Sequence, residues 1–156
     1  MKTSYAKRPL GSFYWVLSLL IFVILPIYAA SISQVPILSI EINKKVFQLE
    51  IVTSAKDRQR GLMYRSSLNN DRGMLFIYPN PGDHRIWMKN TLIPLTVIWV
   101  DQFAVVLAVK RLVPCIEVNC PVFSSRERSR FIIELNADAH NISVGDQIPD
   151  LLEIGA

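Results

Sequence analysis

Three stretches in the middle of the chain place charged side chains inside apolar runs. They read Arg60-Gly61-Leu62-Met63-Tyr64-Arg65, Gly73-Met74-Leu75-Phe76 and Trp87-Met88-Lys89-Asn90-Thr91-Leu92-Ile93-Pro94-Leu95. An extended segment from Trp87 would put Trp87, Lys89 and Thr91 on one face and Met88 and Asn90 on the other. Trp is a flat apolar platform with one N–H donor. Lys89, Arg60 and Arg65 add cationic donors, and Asn90 and Thr91 add neutral ones. Such a set suits a carboxylate, a phosphate or a sugar ring. Arg65, Trp87, Lys89, Asn90 and Thr91 are therefore the candidate ligand-binding residues, and Arg65, Lys89 and Asn90 are expected to converge on one concave patch. The same residues also have plain structural uses. Trp87, Met88, Met74 and Phe76 suit a core. Lys89, Asn90 and Thr91 could bond the loop backbone around Pro94. Arg65 could pair with Asp71 or Asp83.

Signals for catalysis are weak. The chain has no Gly-x-Ser-x-Gly elbow, no His-Glu-x-x-His pair and no phosphate loop. Its two histidines, His84 and His140, fall in turn-like segments beside Asp83 and near Asp138. Asp101, Asp138 and Asp146 occur singly in turns. No catalytic residue is assigned, and neither a cofactor nor a metal is expected.

Two cysteines frame Pro114-Cys115-Ile116-Glu117-Val118-Asn119-Cys120-Pro121. In an oxidising compartment so close a pair is most simply a disulfide, between prolines that suit a turn. Free thiols, a redox role or metal binding are the alternatives. The metal reading lacks partner ligands, and a thioredoxin-type motif has two intervening residues rather than four.

The compartment follows from the N-terminus. Lys2, Lys7 and Arg8 precede a run from Leu10 to Ala30 in which 17 of 21 residues are apolar. Ala29 and Ser31 are small enough for signal-peptidase cleavage after Ser31. The run is also near the roughly 20 residues that span a bilayer. Residues 1–31 are thus expected to be a cleaved signal peptide or a retained transmembrane anchor over residues 10–30. Either delivers residues 36–154 to the periplasm or the exterior. The remaining part, Ser31 to Ala156, carries 14 basic and 13 acidic residues. That near-balance argues against nucleic acid as a partner, and the composition excludes collagen-like, coiled-coil and disordered classes.

The elements that must position the candidate residues read mostly as strands. Alternation over Ile37–Ile42 and Val46–Val52, with Asn43-Lys44-Lys45 between them, predicts a hairpin. Thr53 or Ser54, Asp57 and Gly61 mark the start and stop of a short helix. Gly73–Tyr78, Arg85–Lys89, Leu95–Val100, Phe103–Val109 and Phe131–Leu135 read as strands, with a tight turn at Asp101-Gln102 and a helical turn over Ala137–Asn141. Gln147–Ile154 reads as a final strand, at an edge or bulge because of Pro149. The expected fold is all-β, a β-sandwich or barrel of seven to nine strands with one or two short helical segments.

The three central motifs, in this order and spacing, resemble the bacterial and archaeal family called domain of unknown function 192, also uncharacterised protein family 0127. The resemblance runs from about Ser39 to Ile148 and takes in the Pro-Cys…Cys-Pro loop and Glu134-Leu135-Asn136. Two positions depart from the family pattern. Thr96 stands where the family usually has Asp, and Asp138 where it usually has Gly. The resemblance implies an all-β domain, often exported or membrane-tethered, and no established activity.

Three function classes follow. The first is a non-catalytic envelope binding module for a polar or anionic ligand, using Arg65, Trp87, Lys89 and Asn90. Its expected partners are a polar small molecule or envelope component and, through an uncleaved N-terminal segment, the membrane. The second is an envelope enzyme with a carboxylate or His in the same pocket. The third is an assembly factor whose apolar surface meets a membrane protein. The first is preferred.

Overall fold

A computed structural model describes residues 35–139 and 141–154. The signal or anchor expected over residues 1–31, and His140, lie outside the described residues. The described residues belong to one compact unit that begins at Val35.

This unit is built on strands β1 (Ile37–Ile42), β2 (Lys45–Val52), β3 (Arg72–Gly82), β4 (Ile86–Trp87), β5 (Leu95–Val100), β6 (Val106–Leu112), β7 (Val122–Phe123) and β8 (Ser129–Asn136), with two short helices, α1 (Ala55–Arg60) and α2 (Asp150–Ile154). Six strands form one sheet in the order β1-β2-β3-β8-β5-β6, and β4 and β7 pair separately. The fold is all-β, as the alternation predicts.

The β1–β2 hairpin turns at Asn43 and Lys44, both in the left-handed region at φ 48° and 66°. Two successive positive φ angles make the turn whose twist matches antiparallel strands. Beyond β2 the chain does not turn back. Strand β3 runs parallel to β2, and a parallel neighbour requires a long crossover. Residues 53–71 supply it. Ser54 caps α1, its hydroxyl accepting from the Asp57 amide, and Gly61 ends it at φ 47°. The other pairings in the large sheet are antiparallel.

The sheet is buried on both faces. One face packs Ile40, Phe47, Leu49, Leu75, Ile133 and Ile98 under Ile148 and Leu151 of the C-terminal segment. The other packs Val52, Met74, Phe76, Ile132, Val97 and Trp99 under Leu62, Ile86 and Met88 from the motif loops. Gly73 is required where β3 meets β8, because a Cβ there would lie 2.4 Å from the Glu134 carbonyl oxygen.

Several local expectations are corrected. Gln147 makes only an isolated bridge to Val105, and Asp150–Ile154 is helical rather than a strand. Ile148 and Leu151, three apart, both turn inward, which is helical spacing. The turn after β5 is longer than Asp101-Gln102. Asp101 Oδ1 accepts from the amides of both Phe103 and Val105, so β6 starts only at Val106. The short β7 strand, opposite β4, carries no alternation by which the sequence could announce it.

Candidate functional site

The second face of the sheet carries the motif residues. Across the strands runs the row Glu50, Met74, Glu134, Val97 and Lys110. The crossover brings Arg65 over this row. Its guanidinium donates to both Glu50 carboxylate oxygens, at 2.5 and 2.6 Å. The partner is therefore Glu50 rather than Asp71 or Asp83, because the parallel crossover returns the chain across β2. The half-buried fork raises the Arg65 pKa, chiefly through the hydrogen bond to Glu50.

Glu134 sits deeper in the same row. It is 5% exposed, and Oε2 has no hydrogen-bond partner among the described residues. Burial pushes its pKa up to about 8, with Arg65 pulling the other way. At neutral pH the carboxyl thus holds its proton. Gly61 covers it closely, since a Cβ there would lie 3.5 Å from Oε2.

Tyr64 and Asn90 link the first and third motifs. Both take left-handed backbone, at φ 64° and 56°, an uncommon state for such residues. They hold each other there. The Tyr64 amide donates to the Asn90 carbonyl at 2.8 Å, and Asn90 Nδ2 donates to the Tyr64 hydroxyl at 2.8 Å. The kink at Asn90 also breaks the alternation. Trp87 and Met88 take opposite faces, as expected, with Met88 in the core and Trp87 exposed rather than in the core that suits it, but Thr91 is buried rather than on the Trp87 face.

Two neighbouring cavities result. One, of about 350 Å³, is bordered by Glu50, Arg60, Met63, Tyr64 and Arg65. The other, of about 300 Å³, is bordered by Lys56, Arg60, Met63, Trp87, Lys89 and Asn90. They share Arg60 and Met63. The structure thus gathers Trp87, Lys89 and Asn90 at one cavity, places Arg65 in the adjoining one, and leaves Thr91 out of both. Lys89 Nζ lies 5.4 Å from the Trp87 ring centroid. Lys56 and Arg60 of α1 also enter this second cavity, and no carboxylate lines it. The sequence already marked Arg60 as a cation. Lys56 was missed, because a lysine on a short exposed helix gives no signal of its own.

Elsewhere, His84 stacks on Tyr78 with ring centroids 3.5 Å apart. Thr96 is buried, its hydroxyl donating to the Ala137 carbonyl at 3.3 Å. Among the described residues no group of three or more His, Cys, Asp or Glu side chains is placed to hold a metal ion. Cys115 and Cys120 form a disulfide with Cα atoms 5.9 Å apart. It suggests a location outside the cytosol. Among the described residues no helix is long and apolar enough to cross a membrane.

The family model of DUF192, described as uncharacterized ACR, matches residues 38–149. The chain belongs to the DUF192 family. Two solved structures share the fold seen here. One is a protein of unknown function from Novosphingobium aromaticivorans DSM 12444, 25% identical, with a TM-score of 0.67 over 76% of this chain and 88% of its own. The other is described as a candidate transcription regulator from Sinorhizobium meliloti 1021. It is 27% identical, with a TM-score of 0.61 over 71% of this chain and 88% of its own. No curated protein matches this DUF192 chain.

Proposed function

We propose that this DUF192 domain is a non-catalytic binding module for an anionic ligand, working outside the cytosol after delivery by residues 1–31. One observation carries the reading. Lys56, Arg60 and Lys89 surround a single open cavity with Trp87 and Asn90, and no carboxylate lines it. The concentration is local, because the chain beyond residue 30 is almost charge-balanced. Among the described residues the Lys56 and Arg60 side chains take no hydrogen bond or ion pair, so their donors are open to a ligand oxygen. Trp87 supplies an apolar wall beside those charges. The disulfide supports the compartment.

An enzyme has one observation in its favour, the proton-holding Glu134. Against it, the oxygen of Glu134 that lacks a partner is sealed from solvent, and Glu134 lines neither cavity: the first is bordered by Arg65 and Gly61 instead.

The test is titration of inorganic phosphate into isotope-labelled protein. Amide signals of residues 56–63 and 87–90 should move together, and Lys89→Ala should abolish the shift while leaving the thermal midpoint nearly unchanged. Absence of any shift in these segments overturns the reading. Unfolding of the Lys89→Ala protein would make Lys89 a structural residue instead.

A further inference from the structure

A third feature adjoins the cationic cavity. The disulfide loop is tied to the Trp87–Thr91 segment at its base. The Asn90 amide donates to the Cys115 carbonyl at 2.9 Å, and the Cys115 amide donates to the Met88 carbonyl at 3.3 Å. On its far side the loop runs into β7, where Val122 pairs with Trp87. The loop therefore stands beside Trp87 and Lys89, closed at both ends. Its tip does not pack. Ile116 is 78% exposed and Val118 87%. Val122 and Trp87 are exposed next to it.

Isolated exposed apolar residues need no explanation. These differ in being placed on a short covalently closed loop, beside an exposed indole, at the rim of a cavity lined by three cations. Apolar tips that enter the headgroup boundary, flanked by lysine and arginine, are how a folded domain grips an anionic bilayer without spanning it. Tryptophan favours that boundary because one part of its ring is apolar and its N–H is polar. Charge complementarity selects the surface, since the cavity presents three cations without a lining carboxylate against the single exposed carboxylate of the loop tip, Glu117.

We propose that this corner of the domain docks on a bilayer rich in anionic phospholipid. Ile116 and Val118 enter the headgroup boundary, while Lys56, Arg60 and Lys89 engage lipid phosphates. The proposal rests on the anion-binding reading above and names the anion as a lipid phosphate.

Residues 35–156 suit the test, because they form a compact unit whose strands and two cores are complete among the described residues. Their two tryptophans are Trp87 and the fully buried Trp99, so Trp87 dominates any emission change on contact with lipid. Vesicles of phosphatidylglycerol with phosphatidylcholine should bind the segment and shift its emission to the blue, weakly so at high salt. Vesicles of phosphatidylcholine alone should not. Ile116→Ser with Val118→Ser should lower partitioning about tenfold or more and leave the phosphate-induced amide shifts intact. Phosphate shifts without vesicle binding would overturn the docking and spare the anion site. Loss of both would overturn the two readings together. Vesicle binding unchanged by the loop substitutions would also overturn the docking, since the loop would then not be the contact.

Discussion

Glu134 is the residue whose environment departs furthest from its sequence context. Its neighbours in β8 are Ile132, Ile133 and Leu135, all buried, and the pleat aims its carboxyl into the motif-covered face beside Met74. A carboxylate there gives up hydration that Arg65 only partly replaces, because Arg65 is already forked onto Glu50. Folding therefore favours the protonated form. A group with a raised folded pKa stabilises the fold fully below its unfolded value, and that contribution is lost as pH rises through the folded value. Glu134 should make the domain lose stability from about pH 4.5 to about pH 8. The Glu134→Gln protein keeps the shape and cannot ionise. Thermal midpoints of the two proteins should be similar at pH 5 and diverge as pH rises, with the variant the more stable at pH 9. Parallel midpoint curves would show that Glu134 does not carry this titration. Part of this was legible in the sequence and part was not. A charge inside Phe131–Leu135 marks an unusual strand residue. Which face it takes, and whether a cation reaches it, depends on the β2–β3 crossover, and no local pattern encodes that.

At the scale of elements, what could be read was whatever local chemistry specifies. The hairpin came from alternation and the helix from its cap residues. The disulfide came from cysteine spacing and a compartment argument. The elements that eluded the sequence depend on distant partners. Strand β7 is two residues long and exists only because Trp87 lies opposite, and α2 forms where Ile148 and Leu151 close the first core. The candidate cavity was half legible for the same reason. Trp87, Lys89 and Asn90 belong to one motif and stay together, whereas Lys56 joins them through the placement of α1. The disulfide loop offers the prediction at this scale. Its bond closes a ring over four intervening residues, so the unfolded chain loses little freedom, about 2 kcal/mol or less. The loop is also held by backbone bonds to residues 88 and 90. Cys115→Ser with Cys120→Ser should therefore fold, with a midpoint lowered by about 4 °C for each kcal/mol lost. Circular dichroism of the sheet should be unchanged. A variant with no cooperative transition would mean that the bond organises the fold rather than bracing one corner.

For the whole molecule, the decisive fact is that two cores share one sheet. Successive residues of a strand point to opposite faces, so Phe76 and Leu75, or Ile132 and Ile133, serve different cores while occupying one ladder. Neither core can loosen without unpairing strands that the other needs. This arrangement also frees the outer layer of the second core for function. The loops carrying Arg65, Lys89 and Asn90 turn Leu62, Met88 and Ile86 inward as cover, and their charged members face the cavities. Surface substitutions at Lys56 or Lys89 should then alter binding while leaving the cores untouched. The coupling itself can be tested in residues 35–156. Trp99 reports the second core, far-ultraviolet circular dichroism reports the sheet, and methyl signals of Ile148 and Leu151 report the first. Denaturant midpoints from the three probes should coincide, as expected for a single cooperative unit of this size. A first core that melts at lower denaturant than Trp99 would show that the C-terminal segment is a separable cover, and that the sheet does not bind its two faces into one transition.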